Sequence, residues 1–251
     1  IVAARSSSHC FDAAIEAARI AITYRTPVIL LSDTFLANSS EPWRLPDVES
    51  LPTIDPAFAT GPNAGQEFLP YLRDEKLARP WAIPGTPGLR HRIGGLEKED
   101  GTGDISYEPD NHERMTQLRA SKVAKIVEDI PALHVDDPDG DAEVLVLGWG
   151  STYGTILAAA RRVRESGRKV ATAHLVHLNP MPANTGEVVH RYANVLIPEL
   201  NTGQLAMLIR SAHLVDARTF SKVQGQPIFA EELEDEILKV MDGDRDKVMD
   251  G

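Results

Sequence analysis

Three short stretches carry the residue types that bind or transform ligands. In the first, Gly148, Gly150 and Gly154 are interleaved with Trp149, Ser151 and Tyr153, directly after an apolar run. Glycines between a strand and a helix are the setting of a dinucleotide fingerprint. That reading needs an acid near the end of the next strand, where this chain has His174-Leu175-Val176-His177. The alternatives are close packing or a subunit contact. Ser151 lacks the flanking glycines of a nucleophile elbow. In the second stretch, Glu199, Asn201 and Gln204 follow Val195-Leu196-Ile197-Pro198. At a strand's carboxyl end they could bind a ligand or a partner subunit, or cap the next helix. In the third, Arg90, His91 and Arg92 sit among Gly85, Gly88, Gly94 and Gly95. A basic, glycine-lined loop could cover an anion, or act as a surface strap pairing the arginines with Glu97, Glu99 or Asp100.

Lesser candidates have simpler readings. His174 and His177 lie three apart on a predicted strand, so they point to opposite faces and do not share a metal. His9 and Cys10 are adjacent, a spacing that seldom lets two side chains face each other. Ser32, Asp33 and Thr34 follow the apolar Val28-Ile29-Leu30-Leu31 and read as turn caps or as ligand contacts at a strand tip.

The elements that must position these residues alternate. Val144-Leu145-Val146-Leu147 reads as a strand buried on both faces and Thr155 to Ser166 as a helix. Lys169 to Leu175, Val195 to Ile197 and Leu214 to Ala217 then read as strands, separated by helices at 183–192 and 203–211. This alternation predicts an α/β domain with a doubly wound, mainly parallel sheet over 141–241. It is closed by an amphipathic helix from about Ala230 to Met241. Upstream, residues 1–47 contain a helix carrying Ala13, Ala17 and Ala21, then a short buried strand at 28–31. Residues 48–140 form a loop-rich connector with one helix at 113–130. The acidic tail, 242–251, reads as disordered.

The composition bounds the partners. Of a net charge of −11 over 251 residues, the segment from Glu231 to the end contributes nine acids against three bases. Without a clustered basic face, nucleic acid is not an expected partner. No apolar run approaches a membrane span and no signal sequence is present, so no membrane partner is expected. One cysteine, Cys10, excludes an intrachain disulfide and a cluster held by several thiolates of this chain; a reducing cytoplasm is the expected compartment. The chain opens within an apparent strand and without methionine, the expectation being a piece of a longer polypeptide.

Four segments taken together carry a resemblance. Leu147-Gly148-Trp149-Gly150-Ser151-Thr152-Tyr153-Gly154, Pro198-Glu199-Leu200-Asn201-Thr202-Gly203-Gln204-Leu205, Lys222-Val223-Gln224-Gly225-Gln226-Pro227 and the loop Pro84 to Gly95 resemble the alpha subunit of 2-oxoacid:ferredoxin oxidoreductases, most closely the 2-oxoglutarate type, in its C-terminal portion. The resemblance implies a thiamine-diphosphate enzyme that decarboxylates a 2-oxo acid, passes electrons through an iron–sulfur cluster to ferredoxin, and transfers the acyl group to coenzyme A. It also implies that residues 1–47 end a pyrimidine-binding domain and that 141–241 form a transketolase-C-terminal-like domain II. Thiamine diphosphate, magnesium and the cluster would sit mostly on the beta subunit, so no catalytic residue and no metal ligand carries over. The substrate-binding Y-P-I-T-P and G-P-S-T-G-x-P-T motifs of the family lie upstream and are absent here. The expected partners are the beta subunit and the N-terminal part of the alpha subunit. Gly148, Gly150, Ser151, Glu199, Asn201 and Gln204 would form an interface edge and Arg90, His91 and Arg92 a loop near the active site. Alone, the chain would be inactive scaffold. Two other classes stand beside this one: a non-catalytic assembly module of the same fold, and an NAD(P)-dependent oxidoreductase built on the glycine turn.

Overall fold

A computed structural model of the chain describes residues 1–243. The expected disordered tail lies outside these from residue 244 onward; Asp242 caps the last helix and pairs with Arg168 at 2.9 Å. The chain divides into two compact units, one of residues 1–14, 30–43 and 130 onward, the other of 15–29 and 44–129.

The first unit begins with β1 (Val2–Ala3) and the start of helix α1 (His9–Tyr24), continues through β2 (Leu30–Leu31) and α2 (Thr34–Asn38), and holds the main sheet. β1 and β2 pair in parallel, Val2 opposite Leu30. The expected buried strand at 28–31 is corrected here. Only two residues pair, and Ile29 and Leu30 are 59% and 38% exposed, because a two-stranded sheet leaves the second strand an open edge.

After the second unit's helix α3 (Pro109–Lys125), the main sheet runs through β3 (Val135–Asp136), β4 (Val144–Trp149), α4 (Tyr153–Glu165), β5 (Val170–Leu175), α5 (Thr185–Arg191), β6 (Asn194–Glu199), α6 (Gln204–His213), β7 (Arg218–Ser221) and α7 (Ala230–Met241). The strand order is β3-β5-β4-β6-β7, all parallel except the antiparallel edge strand β3. The mainly parallel α/β architecture therefore stands.

Its core explains why four apolar residues follow one another in β4. Val144 and Val146 pack with Ile156 and Val163 of α4 and Leu233 and Ile237 of α7. Leu145 and Leu147 pack on the opposite face with Val188 of α5 and Leu205 and Ile209 of α6. Every one of these side chains is at most 3% exposed. Burying each contributes roughly 1.5–3 kcal/mol.

The main departures from the sequence reading are two shifted elements and one unpredicted strand. The last strand is Arg218–Ser221 rather than 214–217, because Leu214 takes a left-handed φ of 53° as the cap of α6 and is 90% exposed. β3 carries no apolar alternation in its two residues and was not predicted. The helix expected at 113–130 is α3, starting at Pro109 because proline suits the first helical turn, and followed by a single 3-10 turn at Ile126–Asp129.

The second unit is mostly irregular. Apart from the later part of α1, α3 and short 3-10 turns, its backbone is joined by isolated bridges such as Phe58 with Trp81 and Tyr71 with Gly101. A polar hub holds it. The buried Tyr24 hydroxyl donates to Asp129 Oδ2 at 2.7 Å, Lys76 pairs with the same carboxylate, and Arg19 donates to the Asp129 carbonyl at 3.0 Å.

Candidate functional site

Chain order reverses across the sheet between β4 and β6, so their carboxyl ends flank the topological switch point where open α/β sheets take ligands. Glu199 ends β6 there and is completely buried. Its carboxyl accepts from Trp149 Nε1 at 3.1 Å, Asn201 Nδ2 at 3.1 Å, Leu205 N at 2.9 Å and Ala206 N at 3.1 Å. The last two are free backbone donors of α6's first turn, so the acid also meets the positive end of that helix. Asn201 Oδ1 accepts from the N–H groups of Gly203 and Gln204 at 2.8 and 3.2 Å. Glu199 and Asn201 thus converge as caps, while Gln204 opens α6 with an exposed side chain.

The glycine turn is built for packing at one position. A Cβ on Gly148 would stand 2.1 Å from Ile156 Cδ1 and 2.9 Å from His174 Nδ1, so the glycine lets α4 close on β4. Gly150, with φ 59°, and Gly154 have open space where a Cβ would be. Ser151 donates to Asp33, which also caps α2 by accepting from Leu36 N at 2.9 Å. Asp33 therefore ties α2 to the turn after β4, a long-range link that its reading as a local cap missed.

Beside this edge, Arg5 lies over the Tyr153 ring at 4.8 Å, and Tyr153 meets His174 edge-on at 5.0 Å. Neither nitrogen of His174 makes a hydrogen bond of normal geometry. Burial, reinforced by the nearby Arg5 charge, pushes its pKa down to about 3, so the ring is neutral. With His134, Asp136 and Thr172 these residues line a cleft of 270 Å³. Arg5 and Asp136 were not singled out in the sequence, which gives no spacing that links them to His174. His9 and Cys10 serve local backbone: His9 Nδ1 accepts from Arg5 N at 3.3 Å and Cys10 donates to the Ser6 carbonyl at 3.4 Å.

In the second unit, His91 Nδ1 is 2.7 Å from the Leu89 carbonyl and its ring lies 5.0 Å from Phe68. Arg90 and Arg92 are exposed and make no ion pair among the described residues. The strap reading is corrected: Glu97 is taken by Arg119 and His112, Asp100 by Arg114, and Glu99 accepts from Thr102.

Comparison with known proteins places this arrangement. Residues 1–108 match the family model of pyruvate flavodoxin/ferredoxin oxidoreductase, thiamine-diphosphate-binding. Over 93% of its length the chain is 57% identical to the 2-oxoglutarate oxidoreductase subunit KorA of Mycobacterium tuberculosis. The chain is thus similar, over nearly its whole length, to alpha subunits of 2-oxoacid:ferredoxin oxidoreductases. A second relative, 2-oxoacid:ferredoxin oxidoreductase 1 subunit alpha of Aeropyrum pernix, is 33% identical over 95% of the chain. Among solved structures, the 2-oxoglutarate:ferredoxin oxidoreductase of Magnetococcus marinus, with 2-oxoglutarate, coenzyme A and succinyl-CoA bound, matches 95% of the chain with a TM-score of 0.86 at 29% identity. The chain spans only 35% and 38% of the two curated relatives and 41% of that structure's chain.

Among the described residues no group of three His, Cys, Asp or Glu side chains could hold a metal ion. No helix among them is long and apolar enough to cross a membrane.

Proposed function

We propose that this chain is a segment of the alpha subunit of a 2-oxoglutarate:ferredoxin oxidoreductase and that its own role is scaffold and subunit interface. The observation that carries the reading is the 57% identity to a 2-oxoglutarate oxidoreductase subunit across nearly the whole chain. The complete enzyme would convert 2-oxoglutarate and coenzyme A to succinyl-CoA and carbon dioxide, passing two electrons to ferredoxin. Thiamine diphosphate supplies the carbanion stabilisation when bound, and the beta subunit would carry it with magnesium and the iron–sulfur cluster. Residues 1–47 would close the pyrimidine-binding domain, with the family match continuing to residue 108 into the loop-rich stretch of 48–140, and 141–241 would be domain II.

Within that frame the chain's residues position surfaces. Gly150, Ser151, Asn201 and Gln204 would present the carboxyl edge of the sheet to a neighbouring subunit. The buried Gly148 and Glu199 would brace that edge from beneath, and the four donors on Glu199 support this division. Arg90 and Arg92, exposed and without carboxylate partners among the described residues, would face the active-site region, with His91 anchoring their loop on Phe68. A cytoplasmic location would suit the chain, since its single thiol needs no oxidising environment.

The test is anaerobic viologen reduction by the intact complex containing this chain, dependent on coenzyme A, with 2-oxoglutarate and pyruvate compared. Reduction with 2-oxoglutarate well above that with pyruvate is expected. Reduction with pyruvate alone would overturn the substrate, and reduction with neither would overturn the activity.

A further inference from the structure

The second unit concentrates cations from three parts of the sequence around one cavity of 230 Å³. Arg25 follows α1, Arg73 and Arg79 flank a tight turn, and Arg119 and Lys122 lie three apart on α3 and so share a face. The turn is over-determined. Leu77 is held at φ 59°, Asp74 Oδ1 accepts from the N–H groups of Lys76 and Ala78 at 2.9 Å each, and Arg73 Nη1 donates to the Leu77 carbonyl at 2.8 Å. Aromatic faces support the guanidinium groups: Arg25 lies 4.4 Å from the Trp81 centroid, and Arg73 and Arg79 lie 6.0 and 5.6 Å from that of Tyr71.

The carboxylates nearby are committed elsewhere. Glu97, the acid in the lining, is bound by Arg119 and His112. Asp74 caps its turn, Asp100 pairs with Arg114, and Asp55 accepts from Ala57 N at 2.8 Å. Lys122 donates to the Arg25 carbonyl at 3.0 Å, and the Nε atoms of Arg25 and Arg73 are buried with no hydrogen-bond partner. Burial pushes Lys122 down to about 8, with Arg73, Arg79 and Arg119 adding to the effect. Buried donors without acceptors and mutually repelling cations are costly unless something negative joins them.

We infer that this cavity binds an oxyanion of the phosphate class, either free phosphate or the phosphoryl group of a nucleotide. Guanidinium groups and an ammonium converging from several directions match a tetrahedral group with acceptors on every side, whereas a planar carboxylate satisfies one fork. The volume is several times that of a water molecule, enough for a phosphate.

The test uses the intact protein containing this chain, titrated at constant ionic strength with inorganic phosphate, ADP or adenosine. Binding is read by calorimetry and by the unfolding midpoint, against chloride and against two variants, Arg73→Gln and Lys122→Met. Sites elsewhere in the protein contribute equally to wild type and variants, so the readout is their difference. Phosphate is expected to bind and to raise the midpoint of wild type, and each variant to weaken that response by about tenfold or more. ADP binding no tighter than phosphate would assign free phosphate as the ligand, and ADP about tenfold tighter with adenosine inert would assign a nucleotide. Lys122→Met removes a half-buried cation without touching the 74–78 turn, so its ligand-free midpoint should equal or exceed that of wild type. No wild-type response beyond chloride, or an equal response in the folded Lys122→Met protein, overturns the inference.

Discussion

The two units of this chain solve the problem of burying charge in opposite ways. In the sheet unit the acid Glu199 is sunk at the switch point, with four donors supplied by a helix terminus, an indole and an amide. In the loop-rich unit cations gather around a cavity, and several of their donors go to backbone carbonyls or to nothing. A satisfied buried acid locks its surroundings, whereas an under-satisfied cation cluster is built to receive something. The first arrangement would serve as scaffold, and the second is the better candidate for ligand response.

The largest effect that would sharpen this contrast is at Glu199. Glu199→Ala strands the Trp149, Leu205 and Ala206 donors, so chemical denaturation should find the sheet unit weakened by about 3–5 kcal/mol. Glu199→Gln keeps an acceptor and should cost less. A loss below about 1 kcal/mol for the alanine variant would break the reading of Glu199 as a brace. Next, Gly148→Ala forces a methyl into Ile156 and should cost up to about 3 kcal/mol, a repacking defect measurable in the same way.

Acid titration separates the units further. His174 has a folded pKa of about 3 against an ordinary 6.5, so the unfolded chain binds the extra proton between those values. Stability from this group is therefore full above pH 6.5 and falls as pH drops toward 3, by about 2 kcal/mol at pH 5. Replacing His174 with Leu should flatten that limb, and a persistent slope between pH 6.5 and 5 would assign it elsewhere. The smallest effect belongs to Glu97, held down to about 2 by its hydrogen bonds to Arg119 and then His112. Its contribution is present above pH 4.5 and lost as pH falls toward 2, roughly 1 kcal/mol after solvent screening of its exposed partners. Glu97→Gln should remove it, leaving the limb above pH 4.5 untouched.

The sequence was informative where chemistry is periodic. Val144 to Leu147, buried on both faces, and the stripe of Leu233 and Ile237 on α7 give their elements away, because one residue type repeats at a spacing set by backbone geometry. Glu199 and Asn201 were visible too, since a strand end followed by a helix start implies caps. β7 was misplaced because Leu214 and Val215 are apolar while Leu214 is a left-handed helix stop, and hydropathy does not record φ. The cavity joining Arg25, Arg73, Arg79, Arg119 and Lys122 was illegible for a different reason. Those residues span about a hundred positions of mostly irregular chain, and only the fold brings them together. The Ser151 to Asp33 link was hidden by the same long separation.

The most direct test of the claim that this chain contributes structure rather than chemistry is Glu199→Gln in the intact enzyme, with unfolding midpoint and the pH profile of kcat measured on the same preparation. The account predicts a lowered midpoint with an unchanged pH profile and near-wild-type kcat for the folded protein. An unchanged midpoint with a collapsed kcat or a displaced pH profile would contradict it and place Glu199 among the reacting groups.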